Sequence, residues 1–135
     1  MLALNQEWRW ERDRHFKEIA IATVLTTELG EAAARMNINR QLMQTGNPEA
    51  IAATQEARTA VWESLQLQAA EYWAPKTILE MSNTYTAIRL INDEIRSKSA
   101  RLGQADFHAA VGQIVIETKG QIKKLEKRLY RIGRE

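Results

Sequence analysis

Two histidines are the side chains in this sequence best suited to metal binding or to proton transfer near neutral pH. His15 has Glu11 and Glu18 at spacings that bring side chains together on one face of a helix. Cationic residues surround this group, however, and positive charge opposes the binding of a metal ion. His108 lies two residues from Asp106, and side chains two apart project in different directions on a helix. We therefore predict no metal site and no cofactor.

Paired carboxylates and nucleophiles give no stronger indication of catalysis. Asp93 and Glu94 are adjacent, so on a helix they point in different directions. The chain contains no cysteine, which excludes thiolate nucleophiles and cysteine-ligated metal centres. Gly112 and Gly120 do not form a glycine-rich phosphate-binding loop, and we interpret them as contact points between helices. The sequence predicts a protein that is not an enzyme.

A run of basic side chains near the end of the sequence is a candidate binding surface. Its members recur at helical spacings, and they are Lys119, Lys123, Lys124, Lys127, Arg128, Arg131 and Arg134. Such a face could contact the phosphates of a nucleic acid, although an ordinary solvated helix face has the same pattern. Tyr130 is the only aromatic residue nearby, so the run lacks a platform on which bases could stack. A nucleic-acid-associated helical protein is therefore the alternative function.

Aromatic and basic residues alternate near the start of the chain. The candidates for contact with a membrane interface are Trp8, Arg9, Trp10, Arg12 and Arg14. Trp8 and Trp10 are two residues apart and project from nearly opposite sides of a helix, so they cannot both be core residues. Tryptophan beside arginine is typical of a helix that leaves a bilayer interface. The stretch resembles the juxtamembrane segment of bacterial single-pass proteins, and this resemblance implies a membrane anchor upstream. In the alternative interpretation, Trp8 packs on another copy or on the last helix and Trp10 lies flat on the surface.

Three further aromatic residues, Trp62, Tyr72 and Trp73, are candidates for lining a pocket. Trp62 borders the apolar stripe of its helix, which favours a place in the core. Tyr72 and Trp73 precede Pro75 and are expected to fill the space at a break in the helix. The alternative is a small-molecule sensor bundle with an enclosed pocket at these residues.

The elements that would position these residues are long helices. The chain has 135 residues, of which 44% are hydrophobic and 27% charged, as in a single globular domain over 1–135. Only 6 glycines and 2 prolines interrupt it, so few turns are expected. The longest run without a charged residue, 107–116, falls short of the ~20 residues that a membrane-spanning helix needs.

Apolar residues recur at spacings of three and four over four stretches, which predicts a helix over each of about 5–45, 48–74, 76–99 and 104–132. Residues 45–49 combine a glycine after a helix end with Asn47 as a cap and Pro48 at the first helical position. Pro75 either kinks the second helix into a continuous rod or reverses the chain, and the sequence leaves both outcomes open.

The predicted fold is an all-α antiparallel bundle of three or four long helices with a long first helix. We predict a non-enzymatic interaction or scaffold domain with coiled-coil packing, expected in the cytoplasm or at the inner face of a membrane. The sequence does not identify a protein partner. Association with further copies of the chain is expected, because the first helix, at roughly 60 Å, is longer than a partner helix can cover.

Overall fold

The structure, a computed structural model, describes the backbone of residues 2–134 and the side chains of residues 9–131. The helices are α1 (Leu2–Gln44), α2 (Pro48–Ala52), α3 (Ala60–Tyr72), α4 (Pro75–Arg96) and α5 (Ala105–Arg134), with a short 3-10 helix at Ala100–Gly103. Over the described backbone there is no strand, and four of the five helices are long. The prediction of an all-α protein built from long helices is confirmed.

Helix α1 buries one face along most of its length because its apolar residues recur at helical spacing. Leucines and methionines on this face have no exposed surface; they include Leu25, Leu29, Met36 and Met43. Gly46, with a φ of +70°, follows the end of the helix in the left-handed conformation that glycine adopts readily. The side chain of Asn47 then accepts a hydrogen bond from the N–H of Glu49 at 2.9 Å and caps α2. The break predicted here is confirmed.

The prediction of one continuous helix over 48–74 is wrong. The chain is helical over Pro48–Ala52 and again over Ala60–Tyr72, and an irregular segment, 53–59, separates the two helices. This segment contains neither glycine nor proline, so its local sequence gives little reason for a break. The reason lies in side chains from two other helices.

Two buried asparagines hold the irregular segment. Asn39 of α1 donates to the carbonyl of Gln55 at 2.7 Å and accepts from the N–H of the same residue at 3.0 Å. Asn92 of α4 makes both bonds to Ala57, each at 2.8 Å. Because these side chains satisfy backbone groups that a helix would otherwise pair, the segment can pack against the core at Ala57 without helical hydrogen bonds.

Pro75 is the first residue of α4, and the chain reverses direction just before it. The two preceding residues have extended backbone conformations. Beyond them, the first part of α3 contacts the middle of α4, which a continuous rod would not allow: the Trp62 ring stacks on Tyr85, and Glu63 lies 3.9 Å from Arg89. Of the two outcomes that the sequence left open, the structure has the reversal.

Helix α1 packs most extensively against α5. Nη1 of Arg40 lies only 2.7 Å from where a Cβ at Gly112 would stand, so this glycine makes room for the guanidinium group. Further along, Glu18 Oε1 lies 3.7 Å from Arg128 Nη2. Residue numbers rise along one helix as they fall along the other, so these two helices run in opposite directions. No atom lies within 4 Å of the corresponding position at Gly120, so only Gly112 is a contact point.

Candidate functional site

Two surfaces that the sequence presented as separate candidates lie at the same end of the molecule. The ion pair between Glu18 and Arg128 places the first part of α1 beside the last part of α5. We call residues 9–18 of α1 and 119–131 of α5 the basic–aromatic end. The aromatic and basic residues near the start of the chain therefore belong to the same region as the basic run of α5.

Three aromatic rings are exposed at this end. Trp10, Phe16 and Tyr130 are 61%, 60% and 63% exposed. The guanidinium carbon of Arg14 lies 5.4 Å from the centre of the Trp10 ring, and that of Arg12 lies 5.7 Å from the centre of the Phe16 ring. Cations at this distance from a ring face interact favourably with it. The end thus presents aromatic surface together with positive charge.

Two cations of the predicted basic face make specific contacts instead of facing solvent alone. Lys124 Nζ donates to Glu80 Oε2 of α4 at 3.0 Å, and this hydrogen bond is the main cause of a lowered pKa at Glu80. Arg128 is partly buried beside Glu18, with its guanidinium carbon 5.4 Å from the centre of the Trp73 ring. Lys124 remains exposed despite this contact, whereas Arg128 is partly withdrawn from solvent.

Four other cations of α5 are exposed and lie four residues apart, and they are Lys119, Lys123, Lys127 and Arg131. This spacing forms a single row of positive charge along the outer surface of the helix. Arg9 of α1 is also exposed. The side chains of Trp8 and Arg134 fall outside the part of the chain whose side chains are described.

A cleft of about 220 Å³ opens between α4 and α5 at the basic–aromatic end. Four of its lining residues are cations, namely Lys124, Lys127, Arg128 and Arg131, and the acidic residue among them is Glu80. Arg128 Nε is buried in this region without a hydrogen-bond partner. The charge of the cleft is therefore suited to an anionic group such as a phosphate.

The three candidate pocket residues do not share one environment. Trp62 has no exposed surface, and its ring stacks on Tyr85 with the ring centres 5.3 Å apart. Tyr72 and Trp73 instead lie at the basic–aromatic end, where their rings contact Arg14, at 5.8 Å, and Arg128. Their contacts to arginine position cations at this end of the molecule.

The sequence interpretation missed a cluster of polar groups in the core. Glu28 is 2% exposed, and its carboxylate accepts hydrogen bonds from the N–H groups of Val61 and Trp62 at 2.8 and 3.0 Å. The hydroxyl of Tyr85 donates to the same carboxylate at 2.8 Å. Burial, together with this bond, raises the pKa of Tyr85 far above its ordinary value. Glu28 therefore caps the start of α3 across the core, which is a structural task.

The sequence did contain a signal for these buried polar groups, namely their positions on the apolar stripes of the helices. Glu28 follows Leu25 by three residues and Asn39 follows Met36 by three, so both polar residues lie on the apolar stripe of α1. Asn92 likewise lies on the stripe of α4. A polar residue at such a position must have a partner inside the core.

The histidines are separated from one another. His15 is half-buried in α1, and His108 Nε2 lies 2.7 Å from the carbonyl oxygen of Leu102. Among the described residues, no three histidine, aspartate or glutamate side chains form a group that could hold a metal ion. Over the same residues, no helix is long and apolar enough to cross a membrane.

No known protein family, curated protein or solved structure matches this chain at a significant level. Its function must therefore be inferred from its own surfaces and contacts.

Proposed function

We propose that this protein is a non-enzymatic interaction domain, an antiparallel helical bundle whose basic–aromatic end binds the surface of an anionic membrane. The observation that carries the proposal is the exposure of Trp10, Phe16 and Tyr130 among cations contributed by two helices. Large aromatic side chains are usually buried in a soluble protein, so three exposed rings at one end favour a binding surface.

A membrane interface matches both components of this end. Tryptophan and tyrosine favour the headgroup level, because their rings are apolar and carry one polar group. Each lysine or arginine near an anionic bilayer contributes about 1 kcal/mol of attraction, and the negative charge is greatest on the cytoplasmic leaflet. We therefore place the protein at the inner face of a membrane. The cleft that Lys124, Lys127 and Arg131 line would accept a phosphate group of a lipid.

Vesicle binding tests this proposal directly. The chain should sediment with vesicles of phosphatidylcholine and phosphatidylserine and should remain in solution with phosphatidylcholine alone, because attraction to the cations requires anionic lipid. Replacing both Trp10 and Phe16 with alanine should weaken binding by about tenfold, the loss expected when two apolar contacts disappear. The matched control is Leu67→Ala, which removes an 83% exposed apolar side chain from α3. Equal binding to both kinds of vesicle would contradict the proposal.

Nucleic-acid binding is the second candidate, and one observation favours it. Lys119, Lys123, Lys127 and Arg131 form a continuous row of exposed cations on α5. Such a row would bind phosphates with an affinity that falls steeply as the salt concentration rises. Titration with double-stranded DNA and with RNA at two salt concentrations distinguishes the candidates. Salt-sensitive binding that survives the Trp10 and Phe16 replacements favours nucleic acid, and no binding at low salt eliminates it.

A further inference from the structure

The outer surface of α4 carries a second regular stripe, on the side of the helix opposite its buried face. Its six positions are all exposed, and they are Lys76, Leu79, Asn83, Thr86, Leu90 and Asp93. The two leucines are each 61% exposed, which is high for large apolar residues at the centre of a helix. We call these six residues the outer stripe of α4.

The spacing within the outer stripe alternates between three and four residues, from 76 through 79, 83, 86 and 90 to 93. This is the heptad spacing at which two helices pack against each other in a coiled coil. The same order of spacings is read from either end. A second copy running in the opposite direction would therefore present its residues at matching levels.

The side chains are also complementary in that reversed arrangement. Leu79 would lie opposite Leu90 of the second copy, so apolar surface meets apolar surface. Asn83 would lie opposite Thr86, and a polar pair at the centre of a coiled coil fixes the register. Lys76 would lie opposite Asp93, which also pairs with Arg96 of its own helix at 3.2 Å, so opposite charges meet at both ends. In the parallel arrangement, by contrast, Lys76 and Asp93 would each face an identical charge.

We infer that two copies of this chain associate through the outer stripe of α4, antiparallel and related by a two-fold axis between Asn83 and Thr86. A two-fold axis makes one surface complementary to itself, which is the commonest way in which identical chains associate. Association through α4 differs from the sharing of an overlong α1 that the sequence suggested.

This inference is independent of the proposed membrane binding. The outer stripe contains none of the exposed aromatic residues of the basic–aromatic end. A protein that binds vesicles but remains monomeric would leave the proposed function intact and remove this inference. A dimer without vesicle affinity would do the reverse.

Light scattering coupled to size-exclusion chromatography, over a wide range of protein concentrations, tests the association. The unchanged chain should approach the mass of a dimer as concentration rises. Leu79→Glu combined with Leu90→Glu should raise the dissociation constant more than about tenfold, since like charges would then face each other. The matched control, Ile38→Glu, changes a 44% exposed residue on α1 and should leave the dimer unchanged. Circular dichroism checks that each variant retains its helical content.

Disulfide cross-linking tests the orientation, because the chain has no cysteine of its own. Leu79→Cys and Leu90→Cys are prepared as separate proteins and oxidised alone and as a mixture. The antiparallel arrangement predicts a covalent dimer in the mixture and little in either protein alone. Cross-linking of each variant with itself would overturn the antiparallel pairing, and a chain that stays monomeric at all concentrations would overturn the association.

Charge exchange provides a test that does not alter the leucines. Lys76→Asp alone and Asp93→Lys alone should each weaken the dimer, because each leaves like charges opposite each other. The two changes together should restore it. Failure of the double variant to restore association would contradict the assigned register.

Discussion

The hydroxyl of Tyr85 donates a hydrogen bond of 2.8 Å to the carboxylate of Glu28 in the interior of the protein. The two residues belong to α4 and α1, and the same carboxylate also accepts from two N–H groups at the start of α3. Three helices therefore meet at a single charged side chain. A buried carboxylate is stable only when donors surround it, so each of these bonds is expected to matter for folding.

Tyr85→Phe should lower the free energy of unfolding by about 1.5–3 kcal/mol, the contribution of a hydrogen bond to a charged group. Glu28→Gln should cost a similar amount, because an amide has one acceptor oxygen and turns its N–H₂ group towards other donors. The measurement is denaturant unfolding of both single variants and the double variant. The effects should be less than additive, since the two side chains belong to one hydrogen-bonded cluster. Glu31→Gln, at an exposed position of the same helix, should change stability by less than about 0.5 kcal/mol.

The two asparagines that bind segment 53–59 should contribute unequally to the free energy of unfolding. Asn92→Ala should cost about 2–4 kcal/mol, because it leaves both backbone groups of the buried Ala57 unsatisfied. Asn39→Ala should cost less, about 1–2 kcal/mol, because its partner Gln55 is exposed and water can replace the lost bonds. Denaturant unfolding measures both changes. Equal costs would show that exposure at the partner residue does not determine the penalty.

Limited proteolysis reports on the same segment locally. Arg58 is exposed within 53–59, so trypsin can cut there when the segment detaches from the core. Cleavage after Arg58 should be faster in Asn92→Ala than in the unchanged chain. The control is Gln66→Ala, an exposed position in α3, which should leave the cleavage rate unchanged.

The interruption of the second predicted helix shows which kind of helix break cannot be predicted from local sequence. The break at Gly46 was predictable because each residue there acts on its own backbone or on that of its neighbour. The break at 53–59 depends on Asn39 and Asn92, whose partners lie 16 and 35 residues away in the chain. Local propensity favours a helix over this segment, and tertiary hydrogen bonds override it.

The candidate site was also predictable only in part. Its residues could be identified from the sequence, but their meeting in space could not. Alternating aromatic and basic residues could be recognised in α1, and the basic run could be recognised in α5. Their meeting at one end depends on the opposite directions of these two helices, which the Arg40–Gly112 and Glu18–Arg128 contacts together reveal. The partial burial of Arg128 against Trp73 also depends on that packing, since the two residues are far apart in sequence.

Glycine replacements should have opposite effects at helix and turn positions. Gly30→Ala and Gly120→Ala should each stabilise the protein by about 0.5–1 kcal/mol, because both lie within helices and a methyl group meets no atom within 4 Å. Gly46→Ala should destabilise it by about 1–2 kcal/mol, because a residue with a side chain is strained at a φ of +70°. Thermal and denaturant unfolding of the three variants provide the comparison. Destabilisation by Gly120→Ala would show that this face of α5 has a partner.

The acid-dependent behaviour of Glu80 should depend on Lys124. The lysine's hydrogen bond is the main influence that lowers the pKa of Glu80 below its ordinary value of 4.5, and the charge of Lys76 adds to it. A lowered pKa in the folded protein means that the stabilising contribution is complete above pH 4.5 and is lost as the pH falls through the folded value. Lys124→Met should therefore raise the pKa of Glu80, as followed by the NMR shift of its carboxyl carbon. The stability difference from the unchanged chain should disappear in acid. Lys127→Met removes a cation from the same cleft without breaking the bond to Glu80 and should move that pKa less. An equal shift in both variants would mean that general positive charge, rather than the hydrogen bond, sets the pKa of Glu80.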